Sequence, residues 1–190
     1  IGPNGSGKST LVNCICGTLA NETGTVRFNG EPVDGLLTHE RTRRGMARSF
    51  QLPRPFTTLT VAENLRVPLL YTVNARPGHS LSPPEVDARC NELLQLVALA
   101  DKAAQYPRDL TQVEMRKLEL ARAMAAEPKL LIADESMAGL SQSEVDDIVG
   151  LLIRTWFRCT PFDAQVRHYV AIAAPLMFGL SLSATAEWCD

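Results

Sequence analysis

The sequence predicts an α/β fold with one continuous core, and three observations support that prediction. A glycine-rich stretch at residues 2–9 leads directly into an apolar helical run. Two later segments repeat their apolar residues at helical spacing, and a short apolar run ends in two acids, as a buried parallel strand does. The length of 190 residues suits one domain better than two.

The composition is that of an ordinary globular protein. Hydrophobic residues make up 45% and charged residues 21%, which excludes disordered and low-complexity classes. The net charge of -2 provides no overall field that would hold the chain on nucleic acid or anionic lipid. Five scattered cysteines favour a reducing compartment, and the polar, glycine-rich opening is unlike a secretion signal. We therefore expect a cytoplasmic protein.

The opening residues GPNGSGKS match the complete pattern GxxxxGK[ST]. Glycines let the backbone curl so that its N–H groups point at phosphate oxygens, and the helix that follows adds the positive end of its dipole. Lys8 is expected to reach the β and γ phosphates, Ser9 to bind Mg²⁺, and Thr10 to contact the α phosphate side. The alternative is a glycine turn that only opens a helix, but the complete pattern favours nucleotide binding. The predicted phosphate-binding residues are Gly2, Pro3, Asn4, Gly5, Ser6, Gly7, Lys8, Ser9 and Thr10.

A hairpin and a first capped helix are predicted next. Residues 25–28 and 31–33 read as short strands, because the Asn29-Gly30 pair between them accepts the positive φ angles of a tight turn. Ser82 and Glu85 have the spacing of a capping box, and apolar residues then recur at helical spacing, which predicts a helix over about 83–99.

A second capping box precedes an acidic strand end. Thr111 and Glu114 predict a helix that ends before Pro128. The apolar run 130–133 then suits a buried parallel strand that delivers Asp134 and Glu135 at its carboxyl end, where ligands bind in open α/β sheets. We interpret Asp134 as a metal ligand and Glu135 as the catalytic base, with capping of a following helix as the alternative.

The motifs and their order resemble the ATP-binding subunit of ABC transporters over residues 1–154. GPNGSGKST is similar to the Walker A motif of that family and LLIADES to its Walker B motif with the catalytic glutamate. ARSFQ with TVAENL resembles its Q-loop region, in the form most like importers of branched-chain amino acids. The resemblance implies a P-loop NTPase (ABC ATPase) core with a mainly helical subdomain at about 60–127, between the Q-loop and Walker B.

The resemblance also implies cofactors and partners. ATP and Mg²⁺ are expected, with Ser9, Gln51 and Asp134 holding the metal, Gln51 also contacting the attacking water, and Glu135 activating that water. Thr111, at the start of the signature helix, would contact the ATP of a second subunit in a head-to-tail sandwich. Permease subunits would hold the protein on the inner face of the cell membrane and link it indirectly to a solute-binding protein. No nucleic-acid partner is expected.

Several positions depart from the family pattern. Residues 110–114 read LTQVE where the family has LSGGQ, so Gln112 and Val113 restrict close backbone approach and Glu114 brings a negative charge near an anion. Weakened contact with the opposite nucleotide is expected. Ser136 replaces a usual proline, and Ser141 replaces a frequent aspartate.

The two ends also depart from the pattern, and the domain is expected to be incomplete at both. Only Ile1 precedes the phosphate loop, so the strand that usually leads into it is expected to be missing. Charged residues become sparse after residue 154, and we expect residues 155–190 to form a divergent tail. No apolar strand is predicted before His168, which is therefore a weak candidate for the switch histidine of the family.

Two alternatives stay open from the residues alone. The cluster Arg41, Arg43, Arg44 and Arg48 is interpreted as a solvated helix face, with nucleic acid or lipid headgroups as the disfavoured reading. The chain could also bind ATP without efficient hydrolysis. A DNA-repair ATPase of the same family is disfavoured, because the segment between Gln51 and the Thr111 helix is too short for a coiled-coil insertion.

Overall fold

The computed structural model describes residues 7–49, 53–134, 150 and 169–173. Its helices are α1 (Lys8–Cys16), α2 (Thr38–Arg43), α3 (Val61–Pro68), a π-helical turn (Leu69–Val73), α4 (Pro83–Leu96) and α5 (Gln112–Ala125), with short 3₁₀ turns at Ala100–Lys102 and Pro107–Asp109. Its strands are β1 (Arg27–Phe28), β2 (Glu31–Pro32), β3 (Met46–Ser49), β4 (Leu130–Asp134) and β5 (Tyr169–Ala173).

The larger sheet has the parallel order β3-β4-β5. Leu131 and Ile132 of β4 are buried, which confirms the predicted buried parallel strand. Within the predicted tail, Tyr169–Ala173 form a strand that the sequence analysis did not anticipate, and they pair with all five residues of β4. This strand is uncharged and apolar, but it follows His168 instead of preceding it, so the family pattern did not indicate it.

The hairpin is confirmed with shorter strands than predicted. Residues Arg27 and Phe28 pair with Pro32 and Glu31 in antiparallel register. Asn29 and Gly30 adopt φ angles of 51° and 82°, as the tight turn requires.

The predicted capping boxes are also confirmed. The Ser82 N–H donates to Glu85 at 2.7 Å and the Thr111 N–H donates to Glu114 at 2.9 Å. Helix α4 ends at Leu96, three residues before the predicted end, because Ala98 has a positive φ of 55° that breaks the helix. Helix α5 ends ahead of Pro128, as expected.

The core consists of two clusters. The larger joins α3, α4 and α5 to the sheet through Ala47 and Leu131, and its fully buried side chains include Leu65, Leu94 and Leu118. The smaller lies under α1 and contains Val12, Cys16 and Ile132. The described residues between β3 and β4 are thus helical and packed on the sheet through α5, whereas the domain limits at residues 154 and 155 stay predictions. Among the described residues, no helix is long and apolar enough to cross a bilayer.

Candidate functional site

The sheet register places two of the predicted motifs at one edge. Ser49 lies opposite Ala133, so β3 and β4 end side by side. Gln51 follows Ser49 by two residues, and Glu135 follows β4 directly. Gln51 and Glu135 themselves, and the side chain of Asp134, lie outside the described residues. Because carboxyl ends of parallel strands form ligand sites in open α/β sheets, this edge is the candidate site.

Helix α1 packs beside this sheet, with Val12 and Cys16 in contact with the cluster around Ile132 of β4. Thr38 of α2, the helix before β3, donates to Gly17 O at the carboxyl end of α1 at 3.1 Å. Within β3, Arg48 donates to Oδ1 of Asn13 in α1 at 2.6 Å. The two contacts tie α1 to α2 and to β3.

The amino end of α1 differs from those of the other long helices. Its N-cap residue is Gly7, with φ of 83°, and no acid lies in its first turn. Helices α3, α4 and α5 each begin with a hydroxyl N-cap and a glutamate that accepts a backbone N–H. The first N–H groups of α1 therefore lack a side-chain cap, and both their dipole and the exposed Ser9 and Thr10 hydroxyls fit a phosphate.

Several predicted phosphate and metal residues cannot be placed. Gly2, Pro3, Asn4, Gly5 and Ser6 and the Lys8 side chain lie outside the described part of the chain. Among the side chains that are described, no group of three His, Cys, Asp or Glu residues could hold a metal ion. The metal set of Ser9, Gln51 and Asp134 therefore stays a prediction.

Thr111 begins α5, and the charge of Glu114 beside it is balanced. The Glu114 carboxylate accepts the Thr111 N–H and a Lys102 Nζ contact at 2.6 Å. The Lys102 hydrogen bond, followed by the Thr111 backbone bond, lowers the pKa of Glu114 below its ordinary value. The negative charge expected to oppose an anion here is thus paired with a cation that the sequence reasoning did not consider.

Replacing Glu114 with glutamine is expected to remove an acid-sensitive part of the stability. The folded-state pKa is lowered from 4.5, so the carboxylate stabilises the native state fully above about pH 4.5 and loses this effect as the pH falls through the lowered value. Denaturant unfolding should show the wild type more stable than Glu114→Gln near about pH 7, with the difference shrinking toward about pH 3. Glu92→Gln, which removes an exposed carboxylate paired with Arg89, is the control. A difference that does not change with pH would contradict this account.

The arginine cluster is a solvated helix face only in part, because Arg43 and Arg44 are exposed whereas Arg41 and Arg48 are not. Arg41 is 2% exposed and donates to backbone carbonyls of α1. Arg48 is half-buried against Asn13, and Arg44 pairs with Glu31. The expectation failed for Arg41 because α2 has six residues and packs on the end of α1, so the guanidinium meets carbonyls of the last turn of α1 instead of water.

Sequence reasoning also missed Asn64, which organises the loop after Gln51. Its fully buried amide accepts the Phe56 N–H at 2.8 Å and donates to the carbonyls of Phe56, Leu59 and Thr60. Arg122 of α5 donates to Arg54 O in the same loop at 2.8 Å. An asparagine one residue before the buried Leu65, in an otherwise amphipathic helix, was the available signal.

The comparison with protein families gives one match that covers most of the chain. The family model described as ABC transporter matches residues 1–138. The chain belongs to the ABC transporter family. This confirms the resemblance drawn from the phosphate loop, the Q-loop segment and the acidic strand end, and with it the P-loop NTPase fold.

The ABC transporter relatives are named as ATP-binding proteins of amino acid transport or import. The chain is 35% identical over 162 residues to the high-affinity branched-chain amino acid transport ATP-binding protein BraF of Pseudomonas aeruginosa, covering 81% of this chain. It is 36% identical over 154 residues to the methionine import ATP-binding protein MetN of Rhizobium johnstonii, covering 80% of this chain. The chain spans 64% of the length of BraF and 41% of that of MetN.

Solved ABC transporter structures share the fold. An ATP-binding cassette of an ABC transporter superposes with a TM-score of 0.72 at 28% identity, covering 93% of this chain and 69% of its own. A dimeric bacterial ABC transporter cassette superposes with a TM-score of 0.73 at 25% identity, covering 91% and 72%.

The sheet register locates the chain next to His168, the weak candidate for the switch histidine of the family. His168 lies outside the described residues, but the next residue, Tyr169, pairs with Leu130 at the amino end of β4. Asp134 is four residues further along, about 13 Å at 3.3 Å per residue. The chain at Tyr169 is therefore at the opposite edge from the candidate site.

Proposed function

We propose that this chain is an ATP-binding and ATP-hydrolysing subunit that powers solute import through an ABC transporter. The observation that carries the proposal is the amino end of α1, whose N-cap Gly7 makes no side-chain cap and whose first turn has no acid, on a helix that packs beside the sheet in which β3 and β4 end side by side. Residues 2–10 bind the phosphates, and Ser9, Gln51 and Asp134 hold Mg²⁺. Mg²⁺ neutralises charge on the phosphates, and Glu135 accepts a proton from the attacking water.

We further propose branched-chain amino acids as the transported class. The motifs ARSFQ and TVAENL support this, together with the similarity to BraF. The methionine importer MetN is similar to the same degree, so solute choice rests on those motifs. A second ATP-binding subunit completes the sandwich, permease subunits attach it to the inner face of the membrane, and a solute-binding protein delivers cargo to them.

A second candidate function is ATP binding without efficient hydrolysis. It is favoured by residues 110–114, where Gln112 and Val113 stand at glycine positions of the family signature. Both are side chains of the first turn of α5, where a partner's nucleotide would need close backbone approach. Turnover by wild-type protein separates the two functions.

The proposal predicts magnesium-dependent binding of ATP through Lys8. Calorimetric titration should give an affinity for ATP that falls when Mg²⁺ is chelated, and Lys8→Ala should lower it by about 100-fold, because one charge-assisted phosphate contact is lost. Lys129→Ala removes an exposed lysine and serves as the control, with affinity unchanged. Equal affinities for wild type and Lys8→Ala would refute the proposed phosphate site.

A further inference from the structure

Helix α1, which follows the phosphate loop, is held by little apolar surface. Among the described side chains, Val12 and Cys16 of α1 are buried against Ile132, and the partly buried Ile15 and Leu130 pack beside them. Leu11 on the same helix is 61% exposed. Burial of apolar side chains is non-directional, so these few contacts do little to orient the axis of α1. The polar contacts at the carboxyl end of α1 therefore contribute most to its orientation.

Arg41 supplies these polar contacts. Its Nη1 donates to Cys14 O and Ile15 O, both at 2.7 Å. Its Nε donates to Leu36 O at 3.1 Å, and its Nη2 donates to Asp34 O at 3.0 Å. One buried guanidinium thus ties the last turn of α1 to the segment that precedes α2, and its charge complements the negative end of the helix dipole.

The backbone beside Arg41 is shaped around the guanidinium. Gly17, the C-cap of α1, has φ of 75°, and a Cβ atom on it would lie 2.7 Å from Arg41 Nε. A side chain at this position would therefore displace the guanidinium as well as strain the backbone. The position of the Arg41 guanidinium therefore requires glycine at residue 17.

We propose that Arg41 is a positioning residue for phosphate binding, which aims Gly7 and Lys8 by fixing the opposite end of α1. This rests on the proposed function, because that function places the phosphates at the amino end of α1. At 1.5 Å per residue the helix is about 13 Å long, so a tilt of roughly 5° moves its amino end by about 1 Å. A misplacement of about 1 Å can cost about 100-fold at a site that depends on exact geometry.

Arg76 offers a matched control within the same chain. It donates to the carbonyls of Thr42, Arg43, Ala126 and Glu127, so it joins the carboxyl ends of α2 and α5. It has the same chemistry and the same number of carbonyl partners as Arg41, but none of these partners belongs to α1. Loss of Arg76 should lower stability without changing the direction of α1.

The test compares Arg41→Met, Arg41→Lys and Arg76→Met in the full chain. Affinities are measured by titration with two ligands. Magnesium pyrophosphate probes the phosphate site alone, and the second ligand is a magnesium complex of a non-hydrolysable ATP analogue. Thermal unfolding measures the stability of each variant. Arg41→Met should lower the affinity for both ligands by at least about tenfold, and Arg41→Lys should lower it by less. Arg76→Met should lower the affinity by less than about twofold, although its loss of stability is comparable. Should Arg41→Met not fold, Arg41→Lys carries the test, because lysine keeps the charge but not the planar fork.

Amide exchange provides a readout that does not depend on nucleotide. Arg41→Met should accelerate exchange at residues 11–16 of the folded protein, whereas Arg76→Met should not. Affinities of the Arg41 variants within twofold of wild type, or an equal loss in Arg76→Met, would overturn the positioning role and leave the proposed function intact. If the wild-type protein binds no magnesium nucleotide, both the proposed function and the role of Arg41 in phosphate binding are refuted. Amide exchange would then test only whether Arg41 anchors α1.

Discussion

Glu135→Gln is expected to lower the steady-state ATPase rate by about 100-fold to 10,000-fold, the range contributed by a positioned general base. Glutamine has nearly the same shape as glutamate but cannot accept a proton from water at neutral pH. Affinity for magnesium ATP should stay close to that of the wild type, because the proposed phosphate contacts lie at residues 2–10. A phosphate-release assay and a calorimetric titration measure the two quantities separately.

A matched variant controls for the loss of one carboxylate. Glu92→Gln removes a charge from the exposed face of α4, where the side chain of Glu92 pairs with Arg89. Its turnover should equal that of the wild type. If Glu135→Gln keeps a rate within threefold of wild type, Glu135 is not the base. If the wild type binds ATP but shows no turnover above Glu135→Gln, the non-hydrolysing function is favoured.

Asn64→Leu is expected to lower the free energy of unfolding by about 3 kcal/mol, because four backbone groups lose a hydrogen bond to one fully buried amide. The Phe56 N–H and the Leu59 carbonyl bond to this amide, and the carbonyls of Phe56 and Thr60 also accept the backbone N–H groups of Leu59 and Asn64. Leucine of similar size fills the volume but satisfies none of these groups. Denaturant unfolding at equilibrium measures the loss.

Asn74→Leu is the control for that experiment. Asn74 also bridges a loop with both ends of its amide, accepting the Leu81 N–H at 2.8 Å and donating to Leu81 O at 3.2 Å. It is only partly buried and serves two backbone groups instead of four, so we expect a loss of about 1 kcal/mol. Equal losses for the two variants would contradict the special role of Asn64. Faster amide exchange at Phe56 in Asn64→Leu alone would support it.

Predictions that rest on short-range chemistry are confirmed in the described residues. The Asn29-Gly30 turn, the capping boxes at Ser82 and Thr111 and the parallel strand after Lys129 all lie where their local patterns placed them. In each case the groups that form the turn or the cap lie within a few residues of one another, as when the Thr111 N–H donates to a glutamate three positions later. The local sequence therefore determines whether the turn or the cap forms.

Predictions that depend on distant partners were less successful. Arg41 was interpreted as solvated, but its guanidinium contacts carbonyls 26 and 27 residues earlier in the chain. The loop at residues 54–60 is bound by Arg122, which is 68 residues from its acceptor. Strand β5 is recognised only by its pairing with β4. No pattern in a short window indicates which backbone groups will lie beside such a residue after folding.

The sequence alone determined the family, the fold class and the residues expected to bind phosphate and magnesium, because each motif is a short segment recognised from its own residues. The tertiary structure alone decided how the segments are held: the anchoring of α1 by Arg41, the attachment of the loop after Gln51 to Asn64 and Arg122, and the pairing of Glu114 with Lys102. The physical reason is that a buried hydrogen bond or ion pair is specified by the meeting of groups far apart in the chain, and only folding brings them together.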